Sequence, residues 1–221
     1  SYINARPFYF NTKNSYYFPD LLIKINEGQS KLKINYKNLE NYQIYGNISN
    51  VKLIDLYNIL GRRFRLNGYI NNGEVNIEKN DSQINTNPII LLNANIIDGY
   101  IDEIIYNKLD ISVSYRNRRM LINKILLETQ NGELYTSGWL NFDLYNKRIN
   151  FNEDDIYDLD ITYNNIDIIK LNRYLPWESE IRGLINGKCD ISGSILKPKI
   201  SLNFHIATPG FDYIKGLTFN G

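Results

Sequence analysis

The run Leu109-Asp110-Ile111-Ser112-Val113-Ser114-Tyr115 alternates apolar and polar residues without a fault. Successive side chains of an extended strand point to opposite faces, so this run makes one oily face and one wet face. The same pattern recurs further along. Leu159-Asp160-Ile161-Thr162-Tyr163 and Ile200-Ser201-Leu202-Asn203-Phe204-His205-Ile206 carry it, and Leu134 to Leu144 keeps one phase over a longer stretch. Turn signals punctuate the runs: Asn71-Asn72-Gly73, Asp98-Gly99, Asn131-Gly132, Asn186-Gly187 and Pro209-Gly210. The reading is an all-β chain, a long antiparallel meander of amphipathic hairpins.

Two segments break the period of two. Residues 50–60 place apolar side chains at helical spacing, with Ser49 or Asn50 available as N-cap and Gly61 as the stop. Residues 166–175 do the same, and Pro176 ends them. Each segment predicts a short amphipathic helix, too short to stand alone in water, lying on the sheet. The strands on the C-terminal side of the two segments also match. Leu66-Asn67-Gly68-Tyr69-Ile70, then Gly73 to Ile77, then Asn87-Pro88-Ile89, parallel Ile181-Arg182-Gly183-Leu184-Ile185, then Gly187 to Ile191, then Lys197-Pro198-Lys199. The order predicts an internal repeat and a structure growing along one axis. Residues 1–45 read as the last strands of a preceding repeat, 46–158 as a first unit and 159–221 as a second, truncated unit.

The composition excludes several classes. The 221 residues carry 25 basic and 24 acidic side chains, a balance unlike the clustered positive charge of a nucleic-acid surface. No apolar run approaches the roughly 20 residues of a membrane-spanning helix. A lone cysteine, Cys189, permits no internal disulfide and no cysteine-based metal site, and leaves the compartment open. The chain starts at Ser1 and ends just after the strand-like Gly216-Leu217-Thr218-Phe219, so it is expected to be a piece of a longer polypeptide. Its richness in Asn, Ile, Lys and Tyr suggests an A/T-rich genome.

The stretch Leu171-Asn172-Arg173-Tyr174-Leu175-Pro176, with Ile181-Arg182-Gly183, Ile191-Ser192-Gly193-Ser194-Ile195 and Lys197-Pro198-Lys199-Ile200, resembles the AsmA-like/TamB family of envelope proteins. The hairpin from Leu109 through Gly138 is similar to the same family, and the resemblance covers about residues 40–221. It implies an elongated β-groove, gutter-shaped, apolar within and polar outside. It implies a periplasmic, inner-membrane-anchored protein (of the plastid envelope in an alga) whose anchor lies outside these residues. It further implies phospholipid acyl chains as ligand, and a BamA-like outer-membrane barrel of TamA type as partner, in translocation and assembly of outer-membrane proteins. No cofactor and no catalysis are implied.

Physics suits that function. Exposing an acyl chain of ~16 carbons to water costs about 12 kcal/mol, at ~0.8 kcal/mol per methylene, and an apolar trough removes most of that barrier. About fifteen strands at ~4.8 Å spacing give a groove of roughly 70 Å. One phase of the strands supplies the expected groove residues: Ile70, Val75, Ile77, Leu92, Ile111, Val113, Ile122, Leu134, Leu140, Ile161, Ile185, Ile191, Leu202 and Phe204. Alternating strands alone more often build an ordinary core; the resemblance is what favours a trough. The rival reading is a structural scaffold that binds a polypeptide by strand addition. A carbohydrate-active or adhesin β-solenoid would show a flat polar-aromatic face, whereas the expected inner phase here is Ile, Leu and Val.

Other candidates have plainer readings. His205, the sole histidine, falls on the wet phase with no catalytic motif beside it. Cys189 shares the phase of Ile191 and reads as a small buried apolar residue. Glu153-Asp154-Asp155, with Asp158 and Asp160, lacks the spacing of an EF-hand and reads as a solvated turn. Arg62-Arg63-Phe64-Arg65 and Arg116-Asn117-Arg118-Arg119 read as basic turns able to sit near phosphate headgroups. Asn47-Ile48-Ser49 and Asn80-Asp81-Ser82 match the glycosylation sequon, as chance allows in an Asn-rich chain. No P-loop, dinucleotide fingerprint, nucleophile elbow or zinc-protease motif is present.

Overall fold

The computed structural model describes residues 2–5, 9–11, 15–25, 28–38, 41–55, 66–80, 87–102, 104–145, 148–169 and 181–211. Fifteen strands succeed one another: β1 (Tyr2–Ala5), β2 (Tyr9–Asn11), β3 (Ser15–Ile25), β4 (Gly28–Asn38), β5 (Asn41–Lys52), β6 (Leu66–Lys79), β7 (Ile89–Ile101), β8 (Ile104–Arg116), β9 (Arg119–Glu128), β10 (Glu133–Asn141), β11 (Asp143–Tyr145), β12 (Arg148–Asn150), β13 (Ile156–Asp167), β14 (Ile181–Ser194) and β15 (Lys197–Phe211). Thirteen of them form one antiparallel sheet, in the order β1-β3-β4-β5-β6-β7-β8-β9-β10-β13-β14-β15, with β2 also on β3. The hairpin β11–β12 stands apart from it. From β3 onward each strand of the sheet pairs with its neighbour in sequence except where β10 meets β13 around that hairpin, while β1 and β2 both pair with β3. The meander inferred from alternation is therefore the fold, and among the described residues no second large sheet lies on the first. The twelve strands of the main path give a breadth of about 50 Å at ~4.8 Å per step, less than fifteen would.

The turns differ from expectation in an instructive way. Asn131-Gly132 does turn the chain, held by Thr129 N–H donating to the Gly132 carbonyl at 2.7 Å. Asn71-Asn72-Gly73, Asp98-Gly99, Asn186-Gly187 and Pro209-Gly210 do not; they lie inside β6, β7, β14 and β15. Glycine at two of these sites admits a neighbour rather than a turn. A Cβ on Gly99 would collide with the Asn67 carbonyl oxygen and the Tyr106 hydroxyl. A Cβ on Gly187 would collide with the Asn203 carbonyl oxygen. Tight turning occurs instead at Asn117 and Arg118, both at positive φ (51° and 65°), the signature of a two-residue primed hairpin turn.

Neither helix begins where the spacing put it. β5 runs through Ser49 and Asn50 to Lys52, and among the described residues 53–55 form a helical turn. β13 runs through Asn165 to Asp167, followed by a short 3₁₀ turn at 168–169. Residues 56–60 and 170–175, with Gly61 and Pro176, lie outside the described residues. The ladder wins over the cap because Ser49 and Ile166 still have strand partners, Asn72 and Ile185. Two backbone features accompany the change. Asn50 (φ 55°) and Asn165 (φ 51°) are left-handed, as are Gly68 (φ 142°) and Gly183 (φ 132°) on the next described strands. Both pairs are separated by 115 positions (50 to 165, 68 to 183). The expected boundaries after residues 45 and 158 fall within β5 and β13, and the sheet continues across both.

Candidate functional site

Opposed residues of an antiparallel pair share a face, so the register extends one strand's inner phase across the sheet. Four lanes result. The first runs Ile34, Ile44, Ile77, Ile90, Tyr115, Met120, Leu140, Tyr157, Gly193, Pro198. The second runs Leu32, Gly46, Val75, Leu92, Val113, Ile122, Gly138, Leu159, Ile191, Ile200. The third runs Ser30, Ile48, Gly73, Ala94, Ile111, Ile125, Thr136, Ile161, Cys189, Leu202. The fourth runs Val51, Ile70, Ile96, Leu109, Leu127, Leu134, Tyr163, Gly187, Phe204. No lane contains a charged residue.

All fourteen groove residues named from the sequence fall on this face. Thirteen occupy the four lanes, and Ile185 lies beyond the fourth, between Ile166 and Ile206. Bulges at Ser112/Val113, Thr136/Gly138 and Tyr163/Ile166 shift the count of two, yet the face stays apolar through each. Sequence reasoning passed over lane members of equal weight: Ile44, Ile48, Ile90, Ile96, Leu109, Leu127 and Leu159. Leu109 and Leu159 share the phase of runs already recognised; the others needed the register.

The lanes differ in cover. Val51, Ile70, Ile96, Leu109, Leu127 and Tyr163 of the fourth lane are buried, as are Leu53 and Tyr106 beside it. Leu53, Ile70, Ile96, Tyr106, Leu109 and Leu127 form one packed cluster. Tyr106 reaches over Gly99 and donates its hydroxyl proton to the Asn67 carbonyl of β6. Tyr163 likewise crosses Gly187 and donates to the Asn203 carbonyl of β15 at 3.3 Å. Val75, Leu92, Ile111 and Val113 in the second and third lanes are only half-buried. On β15, Ile200 and Leu202 are 67% and 53% exposed.

The hairpin β11–β12 closes part of the opposite margin. Phe142 stacks on Tyr115 at 4.9 Å, and both are buried. The Tyr115 hydroxyl donates to the Phe142 carbonyl at 2.9 Å and accepts from Leu144 N–H at 3.3 Å. Burial pushes the Tyr115 phenol up, partly offset by that N–H. Arg118 grips both ends of the excursion, Asp143 at 2.9 Å and Asp155 at 3.0 Å. This corrects one sequence reading. Asp155 is buried rather than solvated, accepting also from Asn152 N–H at 2.7 Å, while Glu153 and Asp154 are the exposed turn. Arg118 pairs with these carboxylates, and Arg119 lies over the Trp139 ring at 4.4 Å. Arg62 to Arg65 lie outside the described residues, as does Tyr174.

Two clusters of charge lie on the other face. Asp110 accepts from Lys124 at 2.8 Å and Asn95 at 2.7 Å, with Lys108 at 3.1 Å. Burial alone would raise the Asp110 carboxyl, but these hydrogen bonds outweigh it and hold it at about 2. Lys188 bridges Asp190 and Asp160 at 2.7 and 3.0 Å, which pushes its ammonium up to about 12. His205 is exposed on this face opposite Asn186. Cys189 is half-buried in the third lane, and burial, with Asp190 nearby, raises its thiol. Among the described residues no helix is long and apolar enough to cross a membrane, which leaves open a crossing by strands. No family model matches the chain, and neither the curated proteins nor the solved structures yield a match.

Proposed function

We propose that this chain is a segment of an AsmA-like/TamB-type envelope protein, non-catalytic, whose uncharged sheet face carries phospholipid acyl chains between membranes. The observation that carries the reading is the run of four lanes without a charge across β4 to β15, open in its second and third lanes. Among the described residues no second sheet lies on this one, and large exposed apolar surface marks an interaction site. At ~0.8 kcal/mol per methylene, a chain lying in such a lane recovers most of its cost of exposure to water. The matched left-handed Asn and Gly positions support a repeating unit, hence a trough that lengthens by addition. Inner-membrane anchorage, a periplasmic path and cooperation with a BamA-like barrel in outer-membrane protein assembly follow from the family resemblance.

The test is lipid co-purification. Val113→Lys, in the second lane, should strip bound phospholipid from the purified protein, and Ser114→Lys, on the opposite face, should leave it bound. Equal phospholipid content in both variants, or none in the unaltered protein, rejects the reading. A second reading, a scaffold that takes on a polypeptide strand, draws on the exposure of Ile200 and Leu202 on β15, the last strand of the described sheet. Photocrosslinks from Leu202 to polypeptide rather than lipid would favour it.

A further inference from the structure

The charged face of the sheet has a concavity of its own. A cavity of about 440 Å³ opens over β4, β5 and β6, lined by Lys33, Asn35, Gln43, Tyr45 and Asn76. The register brings them together: Lys33 opposes Tyr45, Tyr45 opposes Asn76, and Asn35 opposes Gln43. All stand on strands paired on both sides, so the site is built on rigid backbone. The Tyr45 ring is 36% exposed, and its hydroxyl is tied down by Asn47 Nδ2 donating at 3.2 Å. Lys33, Asn35 and Gln43 are exposed and hold no side-chain partner among the described residues. Asn76 Oδ1 is shielded from solvent and accepts no hydrogen bond.

These groups narrow the ligand class. The ladders on both sides already use the backbone donors and acceptors here, so no peptide strand can be added. One ammonium is too little charge for a nucleic-acid backbone. What remains is an aromatic plane with three amides around it. Asn35 and Gln43 each present a donor and an acceptor side by side, the complement of vicinal hydroxyls, and the tyrosine ring offers a flat apolar surface to the C–H face of a sugar. We propose that this cavity is a saccharide subsite, with a pyranose ring stacked on Tyr45 and its hydroxyls bonded by Asn35, Gln43 and Asn76. The site is independent of the apolar face and does not rest on the lipid reading.

The experiment is a titration of the isotope-labelled protein with cellohexaose, chitohexaose and maltohexaose in turn, at millimolar concentration, following side-chain amide resonances. The expected result is saturable shifts of Asn35, Gln43 and Asn76 with at least one of the three. Tyr45→Ala should weaken that binding about tenfold, the scale of a lost aromatic stack, and Tyr45→Phe should retain it. Unchanged backbone resonances in β7 to β10 establish that the variants fold. No saturable shift with any of the three, or shifts that survive Tyr45→Ala, overturns the proposal.

Discussion

The fourth lane and the second lane lie on one face, share strands and use the same aliphatic residues, yet one is core and the other is half open. Ile96 and Leu109 are 3% and 4% exposed. Leu92 and Val113, on the same two strands and facing each other, keep contact with solvent. Cover makes the difference. Leu53, from the helical turn after β5, and Tyr106, arching over Gly99, pack on the fourth lane. The buried lane therefore stabilises the sheet, while the open lanes retain the surface free energy that a ligand can use.

The sharpest way to break this contrast is truncation. Leu109→Ala should cost about 3 kcal/mol, and Leu92→Ala no more than about 1 kcal/mol, in chemical denaturation, because only the first opens a cavity in packed surroundings. Equal losses would mean that the lanes are equally buried. Next comes the charged face behind them. The Asp110 carboxyl lies near 2 when folded, below its usual unfolded value of about 3.9, so its stabilisation is complete above pH ~4 and disappears as pH falls through ~2. Asp110→Asn should lower stability at neutral pH by about 2 kcal/mol and flatten the decline between those values, read by denaturation across pH. A smaller loss, about 1 kcal/mol, is expected for Tyr106→Phe, which keeps the packing and removes the bond to Asn67. The smallest effect sharpens the open lane. Cys189, with its thiol raised, should react slowly with an alkylating reagent at neutral pH, and more slowly still after phospholipid is added. No further slowing would place the lipid elsewhere.

Alternation at Leu109 to Tyr115 and at Ile200 to Ile206 sufficed for those strands and for the shared face of Ile111, Val113, Leu202 and Phe204, because a period of two is a local property. Glycine was the blind spot. Asp98-Gly99 and Asn186-Gly187 have turn chemistry, but there the missing Cβ serves Tyr106 and Tyr163, which come from other strands. Likewise, helical spacing after Asn50 and Asn165 was real in sequence, while the ladder to β6 and β14 kept both asparagines in strands. Arg118 offered no sign of its two carboxylates, 25 and 37 positions away (118 to 143 and 155), because a salt bridge across an excursion leaves no periodic trace. The unequal cover of the lanes was equally hidden, since it depends on which chain segments fold back.

The central claim is tested most directly by photocrosslinking in cells, with one probe at Leu92 in the second lane and another at its neighbour Asn93 on the opposite face. The account predicts phospholipid adducts, identified by mass spectrometry, at Leu92 and none at Asn93. Lipid adducts at both positions in equal yield, or polypeptide adducts alone at Leu92, would contradict it.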